Sequence, residues 1–496
     1  MAIAPIDKSE KIVIIGAGVF GLSTALHLAR RGYTDVTVLD RQPFEKNHYA
    51  PEDGCDGASA DINKVFRSTY GDKKMYQNLA ERTLPIWEEW TKAVTESTPE
   101  KLPAGLNPTD ELLSMSGFMR TGGGHELSPF HAASLQGIVE AGRRDHVFLL
   151  NDEKELERAE ALDAAGSGQH WAGKMQRFAK LLGGDVHGIL DTDAGYTRAD
   201  KACLYALHLA KEVGVKFVLD PIGGMFDSFV LEGEGSDKKV VGVKTKDGKV
   251  HPASKAIAAC GGWTASVVPE ASTLLETTGG SVAYVDLPKD RQDLWDKFGD
   301  KQFCTWSFQY SEGIGKEEAD DRMGGFPRTD NCRLKFGYRA TKYTNYKDHP
   351  VTGQRLSVPK TKYSEDPITN IPLHALNEIK KNIIEIFPEL VEIGITGTRM
   401  CWYTDSIDNH FVGDYVPGYN ETLFVASGGS GHGFKFLPTL GHHFVNQLEH
   451  VADEFTAHWK WRAAAPGEFA NGLEEGEAGP RVLSKVKMAT EADWKF

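Results

Sequence analysis

Ile12-Val13-Ile14-Ile15 is an unbroken apolar run, the pattern of a strand buried on both faces. The next apolar positions, Leu22, Ala25, Leu26 and Ala29, recur at helical spacing, and Arg30-Arg31-Gly32 supplies a basic last turn and a stop. Val36 to Leu39 predicts a second strand. Met75, Leu79, Leu84, Trp87 and Trp90 suit an amphipathic helix over 73–95 with a kink at Pro85, and further helices are expected over 152–165, 200–213 and 373–387. The stretch between 95 and 152 reads as turn-rich. Short runs at 215–219, 229–231, 240–245 and 256–259 predict a strand meander returning to the first sheet. Another strand is expected at 281–285, and in Leu334-Lys335-Phe336-Gly337-Tyr338-Arg339 the apolar residues share one strand face while Lys335 and Arg339 share the other. From Thr456 onward the chain is polar and is expected to wrap the surface as a tail.

At 496 residues the chain exceeds one compact core, so two domains are expected. Its 56 basic and 70 acidic residues give a net charge of −14, which argues against nucleic acid or an anionic membrane as partner. There is no run of 18 apolar residues and no signal-peptide core, and the final Trp494-Lys495-Phe496 is not a peroxisomal address, so a cytoplasmic protein is expected. The six cysteines include no CxxC pair, so neither a disulfide framework nor a metal site is expected.

The first strand leads directly into Gly16-Ala17-Gly18-Val19-Phe20-Gly21. Here Gly16 would allow a tight turn, Gly18 would let the backbone approach a pyrophosphate, and Gly21 would let the helix pack on the strand. The second strand ends in Asp40, followed by Arg41, near the offset at which an acid accepts ribose hydroxyls. Two later strands also end on glycines, at Cys260-Gly261-Gly262-Trp263 and at Gly428-Gly429-Ser430-Gly431-His432-Gly433-Phe434-Lys435. Backbone can lie close to a bound nucleotide at such places. The run Ser59 to Gly71 carries Lys64 and Arg67 three apart, which on a helical turn is one face. The charged run 316–322 reads as a solvated face, and Phe303, Trp306, Phe308 and Tyr310 form an aromatic cluster in sequence.

These motifs, in order from Lys11 to about Gly441 and joined by Met400-Cys401-Trp402-Tyr403-Thr404, resemble the D-amino-acid-oxidase-like flavoproteins. The resemblance is to their sarcosine oxidase and fructosyl amino acid oxidase branch. Ser59-Ala60-Asp61-Ile62-Asn63-Lys64 is most similar to fungal members, which include saccharopine, pipecolate and Amadori-product oxidases. The resemblance implies an α/β (α+β) fold, with a Rossmann-like FAD-binding domain and an interleaved antiparallel-sheet substrate domain. Its segments would be 1–75, 185–270 and 395–455 for FAD, 76–184 and 271–394 for substrate, and 456–496 as a C-terminal tail. FAD would be held by Gly16, Gly18, Val19, Phe20, Gly21, Asp40, Arg41, Ser59, Lys64, Cys260, Gly261, Trp263, Cys401, Gly429, Gly431, His432, Gly433, Phe434 and Lys435.

The implied activity is oxidation of a secondary amine, with oxygen as final acceptor and hydrogen peroxide as product. Few catalytic side chains are needed, because the cofactor carries the redox chemistry and the protein orients the substrate. Arg67 and Lys435 match positions that clamp a substrate carboxylate. Lys335 resembles an oxygen-activating lysine, whose fixed charge lowers the energy of negative charge developing on oxygen, and Lys64 matches a cation over the flavin. Cys401 resembles the cysteine that tethers FAD through its 8α-methyl. In bacterial sarcosine oxidases the positions matching Gly324 and Arg339 resemble a tyrosine and a histidine, so a wider, more polar pocket is expected, for a substrate larger than sarcosine. A fructosyl amino acid is the alternative substrate. The further alternatives are an FAD dehydrogenase with another acceptor and a non-catalytic flavin-binding protein. The resemblance also implies a monomer acting on a small amino acid and oxygen.

Overall fold

The computed structural model describes residues 7–123, 126–181, 186–309 and 323–496; Tyr310 and the charged run 316–322 lie outside them. The Lys11–Ile15 strand forms the centre of a six-stranded sheet. It pairs in parallel with Asp35–Asp40 on one side and Lys255–Ala258 on the other. Lys216–Leu219 extends the first side, and Leu423–Ser427 followed by Val412–Tyr415 extends the second. Ile12, Ile14, Val38, Ala256, Ile257 and Val425 are all fully buried, as parallel strands covered on both faces require.

The Val19–Arg30 helix lies on this sheet and is crossed by the Leu440–Leu448 helix. The crossing is close enough that a Cβ at Gly441 would sit 2.0 Å from the Ser23 carbonyl oxygen, and the Gly441 N–H donates to Ser23 Oγ at 2.7 Å. Gly21 meets a similar constraint, since a Cβ there would lie 1.8 Å from the Gly16 carbonyl oxygen.

A second, eight-stranded sheet runs in the order Gly397–Ser406, Leu275–Asp286, Arg333–Tyr343, Met323–Gly325, Thr305–Gln309, Phe118–Gly123, Val186–Asp191 and Val147–Leu149. All its pairings are antiparallel except that between Thr305–Gln309 and Phe118–Gly123. Val186–Asp191 and Gly397–Ser406 therefore stand in this sheet, although both fall in stretches expected to belong to the cofactor unit. The Leu373–Ile386 helix covers one face through Ala375, Leu376, Ile379 and Ile383.

Four expectations are corrected. The meander returns to the first sheet only at its ends, Lys216–Leu219 and Lys255–Ala258: Phe226–Glu232, Lys239–Thr245 and Val250–Pro252 form their own three-stranded sheet. Charges at Asp227, Glu232 and Lys239 keep those strands half in water, whereas the parallel sheet is apolar on both faces. Lys64 and Arg67 do not share a helical turn, because Lys64–Phe66 is a strand paired with Gly195–Thr197. The stretch taken as turns holds the Phe118–Gly123 strand and the Pro129–Glu140 helix, the latter opened by Ser128, whose hydroxyl accepts from the His131 N–H. The tail also docks more deeply than its polarity predicts. Trp459 is fully buried, stacks on Phe455 at 4.4 Å and donates to Tyr76 Oη at 3.2 Å. Among the described residues no helix is long and apolar enough to cross a membrane.

Replacing Trp459 with alanine should remove about 3–5 kcal/mol of unfolding free energy, the usual cost of emptying a large buried aromatic site. A urea titration checks this, and an unchanged midpoint would mean that the tail contributes nothing to the core.

Candidate functional site

Between the two sheets runs a cavity of about 1020 Å³. Its floor at one end is the turn after the first strand. Gly16 has φ +106°, and a Cβ there would lie 2.4 Å from the Ala259 carbonyl oxygen, so only glycine fits. Gly18 precedes the helix, and the Val19 N–H donates to Ser59 Oγ at 2.9 Å, which brings the Ser59 segment over the helix start. Asp40 accepts from the Ala17 and Gln42 N–H groups, both at 2.8 Å, so its carboxylate is held in place at the strand end. Burial raises the Asp40 pKa, opposed by those two N–H bonds. Arg41 pairs with Asp56 at 2.9 Å and lies 4.8 Å over the Trp263 ring.

Gly261, Trp263, Phe20, Gly429, Gly431, Gly433 and Phe434 continue the cavity wall, as does Cys260, whose thiol donates to the Ile15 carbonyl oxygen at 3.3 Å. Gly21 does not line the cavity. Its absent side chain serves only the contact of helix on strand, which separates it from the other residues expected to touch cofactor.

Lys335 and Lys64 converge on one buried carboxylate. Asp61 Oδ2 accepts from Lys335 Nζ at 2.7 Å and from Lys64 Nζ at 2.6 Å, while Lys335 also donates to the Asn63 carbonyl oxygen at 2.9 Å. Burial would raise the Asp61 pKa, but Lys335 and Lys64 outweigh it and hold the carboxyl well below its usual range. Burial pushes Lys335 down to about 8 in spite of Asp61, whereas Asp61 raises Lys64 against the effect of burial. Lys64 Nζ also lies 3.8 Å from Cys401 Sγ. Arg399 is buried alongside and donates to the Ala60 carbonyl oxygen at 2.7 Å and to that of Gly57 at 3.1 Å.

Further along the cavity, Lys435 is buried and donates to Tyr70 Oη at 2.8 Å. Burial, then Arg67, Arg120 and Arg339, hold its pKa well below the usual lysine range. Arg67 lies 4.6 Å over the Tyr70 ring and bonds the Thr69 carbonyl oxygen. His432 is kept neutral, first by burial and then by Lys435. Arg339 donates to Tyr403 Oη at 3.3 Å and packs on Gly431, where a Cβ would meet its guanidinium at 2.1 Å.

Along the Arg333–Tyr343 strand, Lys335, Gly337 and Arg339 all face this cavity. In register across the sheet, Gly337 stands opposite Gly324 and Gly324 opposite Ser307. A Cβ at Gly337 would meet nothing nearer than 3.9 Å, whereas one at Gly324 would lie 3.0 Å from the Trp306 carbonyl oxygen, so the trough is open over Gly337 and tight at Gly324. At its end the Ser307 hydroxyl is buried without a hydrogen-bond partner among the described residues, as is the Thr404 hydroxyl elsewhere on the cavity wall. Two orphaned hydroxyls, a glycine cradle and a fixed acid at the strand end fit a bound dinucleotide and a second, smaller ligand.

Sequence reasoning missed Asp61 as a site residue. Its spacing of three before Lys64 was visible, but its bond to Lys335, 274 positions away, was not. Tyr70 and Ser307 carry no motif that would have distinguished them.

Residues 11–447 match the family described as FAD dependent oxidoreductase, or DAO. The chain is 27% identical to L-saccharopine oxidase of Schizosaccharomyces pombe, over 92% of this chain and 93% of that protein. It is 26% identical to N-methyl-L-tryptophan oxidase of Salmonella typhimurium, over 87% and 92%. Among solved structures, fructosyl peptide oxidase from E. terrenum superposes with a TM-score of 0.75 at 22% identity, covering 98% of this chain and 99% of that one. Fructosamine oxidase (Amadoriase II) of Aspergillus fumigatus gives 0.68 at 22% identity, covering 98% of each. The fold is therefore that of these flavoproteins. The chain belongs to the FAD dependent oxidoreductase family, and FAD is its cofactor.

Asp61→Asn leaves the buried Lys335 ammonium and the half-buried Lys64 ammonium without their shared anion, and should cost about 3–5 kcal/mol of stability. The double variant Asp61→Asn/Lys335→Met should recover part of this loss, since one of the stranded charges is gone. Urea unfolding of the two single variants and the double checks the coupling, and strictly additive losses would rule it out.

Proposed function

We propose that this FAD-dependent oxidoreductase oxidises the C–N bond of a secondary, N-substituted amino acid larger than sarcosine, giving an imine that water hydrolyses while oxygen becomes hydrogen peroxide. The observation that carries the reading is the placing of two kinds of cation on one cavity. Lys335 and Lys64 share Asp61 on one stretch of wall, and Lys435 stands with Arg67 on another. When bound, FAD supplies the redox chemistry, taking a hydride equivalent from carbon and passing electrons to oxygen. Every other task falls to side chains of this chain.

Gly16, Gly18, Asp40 and the loops at Gly261 and Gly429–Gly433 would hold the dinucleotide, the start of the first helix offering N–H groups suited to its phosphates. The first sheet is the cofactor unit and the eight-stranded sheet the substrate unit, so strands 186–191 and 397–406 are shared at the junction. Arg67 and Lys435 bind the substrate carboxylate and so orient the reacting carbon. Lys335 with Lys64 and Asp61 leaves a net positive charge that stabilises negative charge developing on oxygen.

The N-substituent occupies the trough over Gly337, beside Gly324. Arg339 and the unpartnered Ser307 hydroxyl make its walls polar, which favours substituents with hydrogen-bonding groups over a bare methyl. That hydroxyl also supports the second reading, in which the substituent is a fructosyl group. The two most similar enzymes reported above act, by name, on saccharopine and on N-methyl-L-tryptophan. An anaerobic screen of L-saccharopine, N-methyl-L-tryptophan, L-pipecolate and fructosyl amino acids, read by bleaching of the flavin and mass spectrometry of the product, tests the substrate class. Bleaching by none of them would sink it.

In this reading Cys401, on the cavity wall, would hold the cofactor covalently through its sulfur, and FAD would supply the carbon to which it is joined. Lys64 Nζ, 3.8 Å from the sulfur, would stand beside the linkage.

Lys335→Met should slow the oxygen half of the cycle by about 10²–10³-fold, the range for losing a preorganised charge, while anaerobic reduction by substrate changes far less. Because the lysine titrates at about 8, the wild-type rate with oxygen should fall as pH rises through that value and the variant's should not. Stopped-flow measurements of the two half-reactions check both statements, and equal losses would move Lys335 into substrate binding.

Acid-precipitated wild-type protein should stay yellow, with an intact mass raised by one FAD, and Cys401→Ala should release all its flavin to the supernatant. Yellow pellets from the alanine variant would assign the linkage elsewhere.

A further inference from the structure

Tyr70 lies behind the cavity wall and touches both cations of the clamp just described. Its hydroxyl accepts from Lys435 Nζ at 2.8 Å, and its ring lies 4.6 Å beneath the Arg67 guanidinium. The same hydroxyl is 3.1 Å from His432 Nδ1, and His432 Nε2 is 3.0 Å from the Asn409 carbonyl oxygen. Tyr70 is buried, does not line the cavity and stacks on Tyr76 at 5.4 Å, so its own position is set by the core. We propose that Tyr70 is a positioning residue that assembles Lys435 and Arg67 into one carboxylate clamp and is itself oriented by the His432 tautomer that the Asn409 carbonyl selects. The inference rests on the clamp reading of those two cations.

The donors in this chain can be ordered in one way only. A carbonyl oxygen accepts and never donates, so Nε2 of the neutral His432 must carry the proton facing Asn409. Nδ1 is then an acceptor and takes the Tyr70 O–H, which burial keeps protonated. The lone pairs of Tyr70 Oη are left for Lys435, which as an ammonium has three hydrogens. One goes to Tyr70 and a second points toward the His432 carbonyl oxygen at 3.5 Å. The third is left for the cavity that Lys435 lines, where a substrate carboxylate would accept it.

The same order bears on pH. The charged and titratable groups that act on Lys435 are Arg67, Arg120 and Arg339, all of which disfavour its charged form, together with the neutral His432 and Tyr70. An acceptor bonded to the ammonium favours it. Without the Tyr70 oxygen, Lys435 should lose its proton at lower pH and the clamp half its charge.

The test is binding of acetate, with the neutral acetamide as control, to the FAD-loaded protein by calorimetry across pH. Tyr70→Phe keeps the ring under Arg67 and removes only the hydroxyl. It should weaken acetate about tenfold, as expected for loss of a hydrogen bond to a charged group, leave acetamide unchanged, and move the alkaline limb of acetate binding to lower pH. Tyr70→Leu, which also removes the ring, should weaken acetate further. In turnover, Tyr70→Phe should raise KM for a carboxylate substrate with little change in kcat. If Tyr70→Phe binds acetate as wild type does while Lys435→Met has lost it, the Tyr70 assignment is overturned and the clamp stands. If Lys435→Met binds acetate normally, or wild type prefers acetamide, the clamp itself falls. Nitrogen NMR of ¹⁵N-histidine-labelled wild type, assigned with His432→Gln, needs no folded Tyr70 variant. It should show His432 protonated at Nε2, and protonation at Nδ1 would overturn the donor order.

Discussion

The shared carboxylate of Asp61 is the interaction on which the rest of the site depends. Two ammonium groups from separate elements meet in one wall, Lys64 half-buried and Lys335 buried, and moving Lys335 out of water without an anion would cost several kcal/mol. Lys335 comes from the eight-stranded sheet and Lys64 from the short strand paired with Gly195–Thr197. Asp61 is what permits both. It is itself pinned: its Oδ1 accepts from the Ile62 N–H at 2.8 Å, its carbonyl oxygen accepts from the Asp200 N–H at 2.9 Å, and Arg399 grips the preceding carbonyls at Gly57 and Ala60. Ser59, in the same segment, bonds the first helical N–H of the dinucleotide turn. One loop thus ties the glycine cradle to the lysine pair.

This arrangement sets the sign of the cavity. One carboxylate against Lys335, Lys64 and Arg399 leaves two positive charges near Cys401, and Lys435 with Arg67 and Arg339 adds more farther along, while His432 stays neutral. A chain with net charge −14 thus carries a locally cationic interior. Whole-chain charge speaks to solubility and long-range partners, whereas the cavity reports what binds inside it, and here an anionic group is favoured. Burial first, and then the mutual repulsion of these cations, lowers the Lys435 pKa, and a bound carboxylate would oppose both effects.

The parts of the fold legible in the sequence were those where local pattern and burial agree. The 12–15 and 36–39 runs, the glycine turn, the long helix carrying Trp87 and Trp90, and the alternation around Lys335 were all readable because each is specified within a few residues. What failed was pairing at a distance. Nothing local tells that strands 226–232 and 239–245 leave the first sheet, or that Val186–Asp191 and Gly397–Ser406 join the second. Lys64 and Arg67 were placed on a helical turn because spacing alone was used; the Val65 and Phe66 between them suit the strand that forms. The Pro129–Glu140 helix was missed despite a Ser-Pro start, which is a readable cap signal. The site showed the same division: the glycines and lysines were legible as motifs, whereas Asp61, Tyr70 and Ser307 matter only through partners far along the chain.

The two halves of the cavity are also less separable than a division into cofactor and substrate units implies. Gly431 belongs to the second glycine loop, has φ +71°, and has the Arg339 guanidinium where a side chain would begin. Arg339 belongs to the sheet that forms the substrate trough, two positions beyond Gly337. Glycine at 431 is therefore favoured by its backbone conformation, and a side chain there would also displace the arginine lying against it. Arg339 in turn reaches the cavity only because that loop has no Cβ in its way. A smaller residue at 339 would leave a gap against the loop and withdraw one of the charges that lower Lys435. The width of the trough, the course of the glycine loop and the charge of the clamp are thus set together at one contact, so substrate preference cannot change at this position without the loop and Lys435 responding.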